Sequence, residues 1–124
     1  MDLIFDTHAL LWLVADYRRL GGRVRDVLLD PYTRLFVSAI TAWEYADLHA
    51  RGRLPGSVDL TDVLRTTDTT LLNFPATLWR RAETLPPHHR DPIDRMLIAH
   101  AIEAGLTLVT ADEKMRRYPV KTLW

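Results

Sequence analysis

Four acidic residues stand where a carboxylate can do chemistry. Asp6 follows the apolar run Leu3-Ile4-Phe5, and Asp112 comes shortly after Leu106, Leu108 and Val109. Short apolar runs with polar boundaries read as buried strands, so both acids are expected at or just past strand ends. Glu44 falls within the apolar stripe Ile40, Trp43 and Leu48 of a helical segment, which turns its carboxylate inward. Asp94 lies one turn into a helix opened by Asp91-Pro92, beside Leu97 and Ile98 on the inward side. If the four converge within about 5 Å, each like-charge pair costs roughly 3 kcal/mol at an effective dielectric of about 20. A domain is stable by only about 5 to 15 kcal/mol, so such a cluster must bind divalent cations or retain protons. Oxygen donors alone favour Mg²⁺ or Mn²⁺ over zinc.

Each position also has a structural reading. Asp6 and Asp112 can accept hydrogen bonds from the open amides of a following helix. Glu44 completes a capping box, Thr41-Ala42-Trp43-Glu44, if its helix opens at Thr41. On the sequence both readings of Glu44 stand. Asp91 before Pro92 fits an N-cap with proline at the first helical position, which leaves Asp94 as the site residue. His88 and His89 are adjacent in a loop, lack the i, i+4 spacing of helical zinc pairs, and are expected to be exposed or loosely packed. His8, His49 and His100 are scattered, so the chemistry is not assigned to histidine. Thr7 and Thr110 flank the strand-end acids and can hydrogen-bond a ligand carboxylate or phosphate; Thr7 equally reads as a helix cap.

The elements that must position these residues follow from the apolar pattern. A strand at 3–5 leads into a helix at 8–15, and Gly21 and Gly22 precede a helical segment carrying Val24, Val27 and Leu28. A strand at 35–37 precedes a helix from Thr41 to about Arg51, and a short helix is expected over 59–67. Leu71, Leu72 and Phe74 form a strand remnant, and a helix over 76–85 stops at Pro86 and Pro87. The helix from Asp91-Pro92 runs to Gly105, a strand follows at 106–109, and residues 120–124 can add an edge strand. This alternation predicts an α/β sandwich of three layers, a parallel sheet with helices on both faces. Such sheets bind ligands outside the carboxyl ends of their strands, near a switch in strand order.

Composition sets the outer bounds. At 124 residues and 48% apolar content, the expectation is a single domain over residues 1–124. The lack of cysteine excludes zinc ribbons, thiol nucleophiles and disulfide frameworks. No apolar stretch approaches the roughly 20 residues that cross a bilayer, so no membrane association is expected. The start lacks a basic leader region, and a cytoplasmic location is expected. The net charge is zero, yet the 16 cations are 14 Arg and 2 Lys, and Arg suits forked contacts to phosphate, although a GC-rich genome yields the same bias. Arg95, Arg116 and Arg117, near two of the acids, are candidates to steer a polyanion, with Arg18, Arg19, Arg23 and Arg25 as a second cluster.

Four segments, in order, resemble the PIN-domain ribonucleases, and among them the VapC-type toxins of toxin-antitoxin pairs. They are Leu3-Ile4-Phe5-Asp6-Thr7-His8, Ser38-Ala39-Ile40-Thr41-Ala42-Trp43-Glu44, the run from Arg90 to Ala99 containing Asp91-Pro92-Ile93-Asp94-Arg95, and Thr110-Ala111-Asp112. The resemblance implies a PIN-like sandwich with a parallel sheet of about five strands. It implies metal-dependent endonuclease cleavage of RNA, with Asp6, Glu44, Asp94 and Asp112 as the catalytic acids around Mg²⁺ or Mn²⁺. Asp6 and Asp94 are assigned as direct ligands, with Glu44 and Asp112 completing the shell. A cognate antitoxin and a homodimer are the implied protein partners.

Two rivals remain. One is a PIN-like module that binds RNA or a partner without cutting. The other is a phosphoryl-transfer protein with Asp6 as nucleophile. Against it, His8 stands where a haloacid-dehalogenase-type phosphatase wants a second acid, and Lys114 fits a receiver-type module only loosely.

Overall fold

The structure is a computed structural model that describes all 124 residues. Its centre is β1 (Asp2–Phe5), where Leu3, Ile4 and Phe5 are all fully buried. Because side chains alternate along a strand, Leu3 and Phe5 enter the core on one face while Ile4 enters the core on the other. A strand apolar on both sides must be covered on both sides, and the chain supplies parallel neighbours on each flank. β2 (Arg34–Ser38) pairs through Leu3 with Leu35 and Ile4 with Phe36, and β4 (Thr107–Val109) through Ile4 with Leu108 and Phe5 with Val109. β3 (Thr70–Leu72) and β5 (Thr122–Leu123) are the edges of the parallel sheet, whose order is β3-β2-β1-β4-β5. The five-stranded parallel α/β architecture is as expected, including the edge strand formed by the tail.

One core gathers α1 (Thr7–Ala15), α2 (Gly22–Leu28), α3 (Ala39–Ala50) and α4 (Leu60–Thr66) through Leu10, Leu11, Val24, Tyr45 and Val63. The opposite core is built on Leu97, Ile98 and Ala101 of α6 (Pro92–Ala104), with Leu106, Met115 and Tyr118. α5 (Leu78–Thr84) packs beside α6. Gly105 ends α6 in the left-handed conformation at φ 67°, where its amide reaches the carbonyls of Ala101 and Ile102. No helix is long and apolar enough to cross a membrane.

The structure corrects the expected start of α3. Ser38, not Thr41, is the N-cap, its hydroxyl accepting from the Ile40 amide at 3.2 Å. The Ser38 hydroxyl also meets Nδ1 of buried His100 on α6 at 2.8 Å, which pins the end of β2 to the opposite layer. Thr41 is fully buried and its hydroxyl has no partner, so no capping box forms. Trp43, read as part of the inward stripe, is 61% exposed; the buried face runs through Thr41, Ala42 and Tyr45 instead. Residues two apart lie about 200° apart around a helix, so burying Tyr45 leaves Trp43 on the outer side.

The tail is fixed by close approach. A Cβ on Gly21 would lie 2.2 Å from the Trp124 carbonyl carbon and 2.9 Å from the indole. Gly21→Ala should therefore cost about 1–3 kcal/mol of stability in urea denaturation, as overpacked sites do. Gly22→Ala, whose nearest neighbour would be an Arg25 nitrogen at 3.9 Å, should be neutral or slightly stabilising as a better helix former. Equal effects of the two would show that this contact does not fix the tail.

Candidate functional site

Strands β1, β2 and β3 step to one side, and β4 then starts on the other side of β1. The order reverses between β1 and β4, and a crevice opens there at their carboxyl ends. Asp6 directly follows β1 and its amide donates to the Val109 carbonyl at 3.1 Å, so the β1–β4 ladder continues to the site. A cleft of about 470 Å³ lies at this point, lined by Asp6, Glu44, Asp91, Asp94 and Asp112 together with Trp12. No Lys or Arg lines it. The four acids expected to converge do share one cleft, and Asp91 joins them.

Each acid is held by its own element. Asp6 is buried as the N-cap of α1, where its carboxylate accepts from the Ala9 amide at 2.8 Å. Burial pushes the Asp6 carboxyl up against the effect of that bond. Glu44, on α3, accepts a hydrogen bond from the Thr7 hydroxyl at the start of α1. The inward reading of Glu44 thus describes its placement, and Thr7 holds it across two helices. Asp91 caps α6, its carboxylate accepting from the amides of Ile93 at 2.8 Å and Asp94 at 3.3 Å. Asp112 accepts from the Lys114 amide at 2.8 Å, and its own amide donates to the Thr110 hydroxyl at 3.0 Å.

Asp94 feels all of them. Burial first, then the charges of Asp91, Glu44, Asp6 and Asp112, raise its pKa from an ordinary 3.8 to about 8. Asp112 moves the other way. Partial burial pushes it upward, but hydrogen bonds from His89 and the Lys114 amide outweigh that and hold it below the usual range.

Two residues depart from expectation. His89 is neither exposed nor loosely packed: its Nε2 lies 3.0 Å from Asp94 Oδ2 and 3.0 Å from Asp112 Oδ2. These three side chains form a group whose ligand atoms all lie within 4.8 Å of one another. Arg95 is not a rim cation. Its Nη2 donates to the carbonyls of Ala82 at 2.8 Å and Leu85 at 2.9 Å, and its Nη1 donates to Pro86 at 2.9 Å and His89 at 3.2 Å. It clamps the turn that presents His89. Neither role has a signal in spacing, because both depend on contacts between α6, the preceding turn and the segment after β4. Arg116 and Arg117 are exposed, and the Arg19 guanidinium lies 3.6 Å over the Trp12 ring at the cleft.

Oxygen donors of net negative charge, sharing a cleft that no Lys or Arg lines, fit a hard divalent cation. Of the acids lining the cleft, Asp94 and Asp112 already place oxygens close together, and Asp6 and Glu44 face the same space.

A family model described as PIN domain matches residues 3–121. A search of curated proteins finds no match. Among solved structures the chain is similar to VapBC2 from Rickettsia felis bound to a DNA fragment from their promoter, at 17% identity and a TM-score of 0.74, covering 99% of this chain and 98% of that one. It is similar to VapBC-1 from nontypeable Haemophilus influenzae at 18% identity and TM-score 0.60, covering 99% and 97% of the two chains. PAE2754 from Pyrobaculum aerophilum matches at 20% identity and TM-score 0.61, covering 98% of this chain and 83% of that one. At these identities the likeness is one of fold.

The raised pKa of Asp94 has a stability consequence. Between 3.8, its ordinary value, and about 8, the folded chain keeps a proton that the unfolded chain has lost. Stability then falls as pH rises through that window. In chelator, the melting temperature should decline between about pH 4 and about pH 8, and Asp94→Asn should flatten the decline. A wild-type profile as flat as that of the variant would contradict the crowding of charge around Asp94.

Proposed function

The chain belongs to the PIN-domain family, and from that premise we propose that it is a divalent-metal-dependent endoribonuclease acting as the toxin of a toxin-antitoxin pair. The observation that carries this reading is the convergence of Asp6, Glu44, Asp94 and Asp112 in a cleft that no Lys or Arg lines. Charge of that kind is compensated either by protons, as on Asp94, or by a cation from solution.

Asp6 and Asp94 would hold Mg²⁺ or Mn²⁺ directly, with Glu44 and Asp112 completing the shell directly or through water. The bound ion would supply an acidified water and offset charge on the scissile phosphate. The remaining work falls to the side chains. Asp112, kept ionised by its hydrogen bonds, is a poor proton acceptor and contributes charge. Glu44, steadied by the Thr7 hydroxyl, is assigned the proton of the attacking water. Trp12 at the cleft, overlaid by Arg19, offers a stacking surface for a base of single-stranded RNA.

The same acidity supports a protein partner. A cognate antitoxin that silences the cleft would insert a cationic side chain among the carboxylates, competing with the metal for one charge deficit. A homodimer, implied by the resemblance to VapC-type toxins, is part of the same proposal. The residues 1–124 are taken as a single PIN domain.

Purified chain should cleave RNA in Mg²⁺ or Mn²⁺, and excess EDTA should stop it. Asp94→Asn should abolish cleavage and growth arrest while retaining the far-ultraviolet circular dichroism of the wild type. Cleavage that persists in EDTA would overturn the metal mechanism, and an active Asp94→Asn chain would remove Asp94 from the site. Saturable RNA binding without cleavage in Mn²⁺ would favour a non-cleaving module.

A further inference from the structure

We propose that His89 is a positioning residue of the acidic cleft, a hydrogen-bond donor that holds Asp94 and Asp112 together for a cation without ligating the cation itself. The inference rests on the metal-binding reading above. Its ground is the tautomer that the local geometry imposes. The Asp91 amide points at His89 Nδ1 at 3.1 Å, and a backbone amide can only donate. Nδ1 is therefore the acceptor, and the ring carries its proton on Nε2. That proton is hydrogen-bonded to Asp112 Oδ2 at 3.0 Å, and Asp94 Oδ2 lies 3.0 Å from the same nitrogen.

A ligating imidazole would present a bare Nε2, and its proton would then sit on Nδ1 against the Asp91 amide, donor facing donor. The same contacts that bring His89 within reach of a shared ion thus make it a donor to the ion's ligands. Asp94 comes from α6 and Asp112 from the segment after β4, so they share no element that fixes their separation. When both are ionised they repel, and an N–H dipole directed at them offsets part of that repulsion.

The imidazole is held by its backbone as well as its ring. The His89 amide donates to the Tyr118 hydroxyl at 2.8 Å, the Tyr118 hydroxyl donates to the Pro86 carbonyl at 2.6 Å, and the His89 carbonyl accepts from Arg95. The His88 ring meets the Tyr118 ring edge-on at 5.2 Å between centroids. A turn fixed at its carbonyls, its amide and its neighbouring ring presents one nitrogen to one place.

The test is Mn²⁺ binding by the full chain without RNA, measured by isothermal titration calorimetry. His89→Ala should weaken binding about 10- to 100-fold, the usual effect of losing a group that orients metal ligands. His89→Gln, whose amide can donate at similar reach, should recover most of that loss. Unchanged or tighter binding by His89→Ala would overturn the proposal, the latter by making His89 a competitor of the ion. A Gln variant as weak as the Ala variant would overturn it too. Independently of any variant's folding, a long-range proton–nitrogen spectrum of the wild type without manganese should show the His89 ring as the Nε2–H tautomer, and the Nδ1–H form would refute it. Failure of the wild type to bind Mn²⁺ would overturn the metal reading along with this one, whereas wild-type binding with an unaffected His89→Ala chain would overturn this one alone.

Discussion

A carboxylate removed from water and set among four others can keep its charge only at considerable cost, and Asp94 is in that position. The surrounding architecture places this cost where it can be relieved. Strand order reverses between β1 and β4, so the crevice stays open to solvent ions. Layers on both sides of the sheet then deliver acids from separate elements: Asp6 and Glu44 from one face, Asp94 from the other, and Asp112 from the segment following β4. The buried Leu3, Ile4 and Phe5 hold the floor on which they meet.

Much of this was legible in the residues alone. The apolar runs ahead of Asp6 and Asp112 marked strand ends, and in a parallel sheet strand ends share an edge. Asp91-Pro92 fixed the first turn of α6 and so distinguished the cap from the inward acid one turn later. The errors came where a local pattern competed with a distant partner. The capping-box pattern at Thr41 was overridden by Ser38, which is held from the far layer by His100. His89 gains its position from Tyr118, Arg95 and Asp112, between 6 and 29 residues away along the chain, and no helical or strand period spans such contacts.

Arg95 shows the same limit in the opposite sense. A cation next to an acid in sequence reads as electrostatic steering, but side chains one residue apart on a helix point in different directions. Asp94 turns toward the cleft, while Arg95 turns to the carbonyls of Ala82, Leu85, Pro86 and His89. Its guanidinium instead satisfies backbone carbonyls at the end of α5 and along the following turn. The consequence for the cleft is indirect, because this clamp determines where the His89 ring stands.

Asp6 and Asp91 carry a different kind of constraint. Each lines the cleft and each also caps a helix, Asp6 at α1 and Asp91 at α6. Charge and fold are therefore written in the same atoms, and most replacements at Asp6 would silence the cleft while loosening the helix laid over the central strand. Asparagine and serine are the exceptions, since each caps about as well as aspartate yet brings no charge. At this position the charge can therefore be removed without loosening the fold only through the few residue types that share the capping geometry.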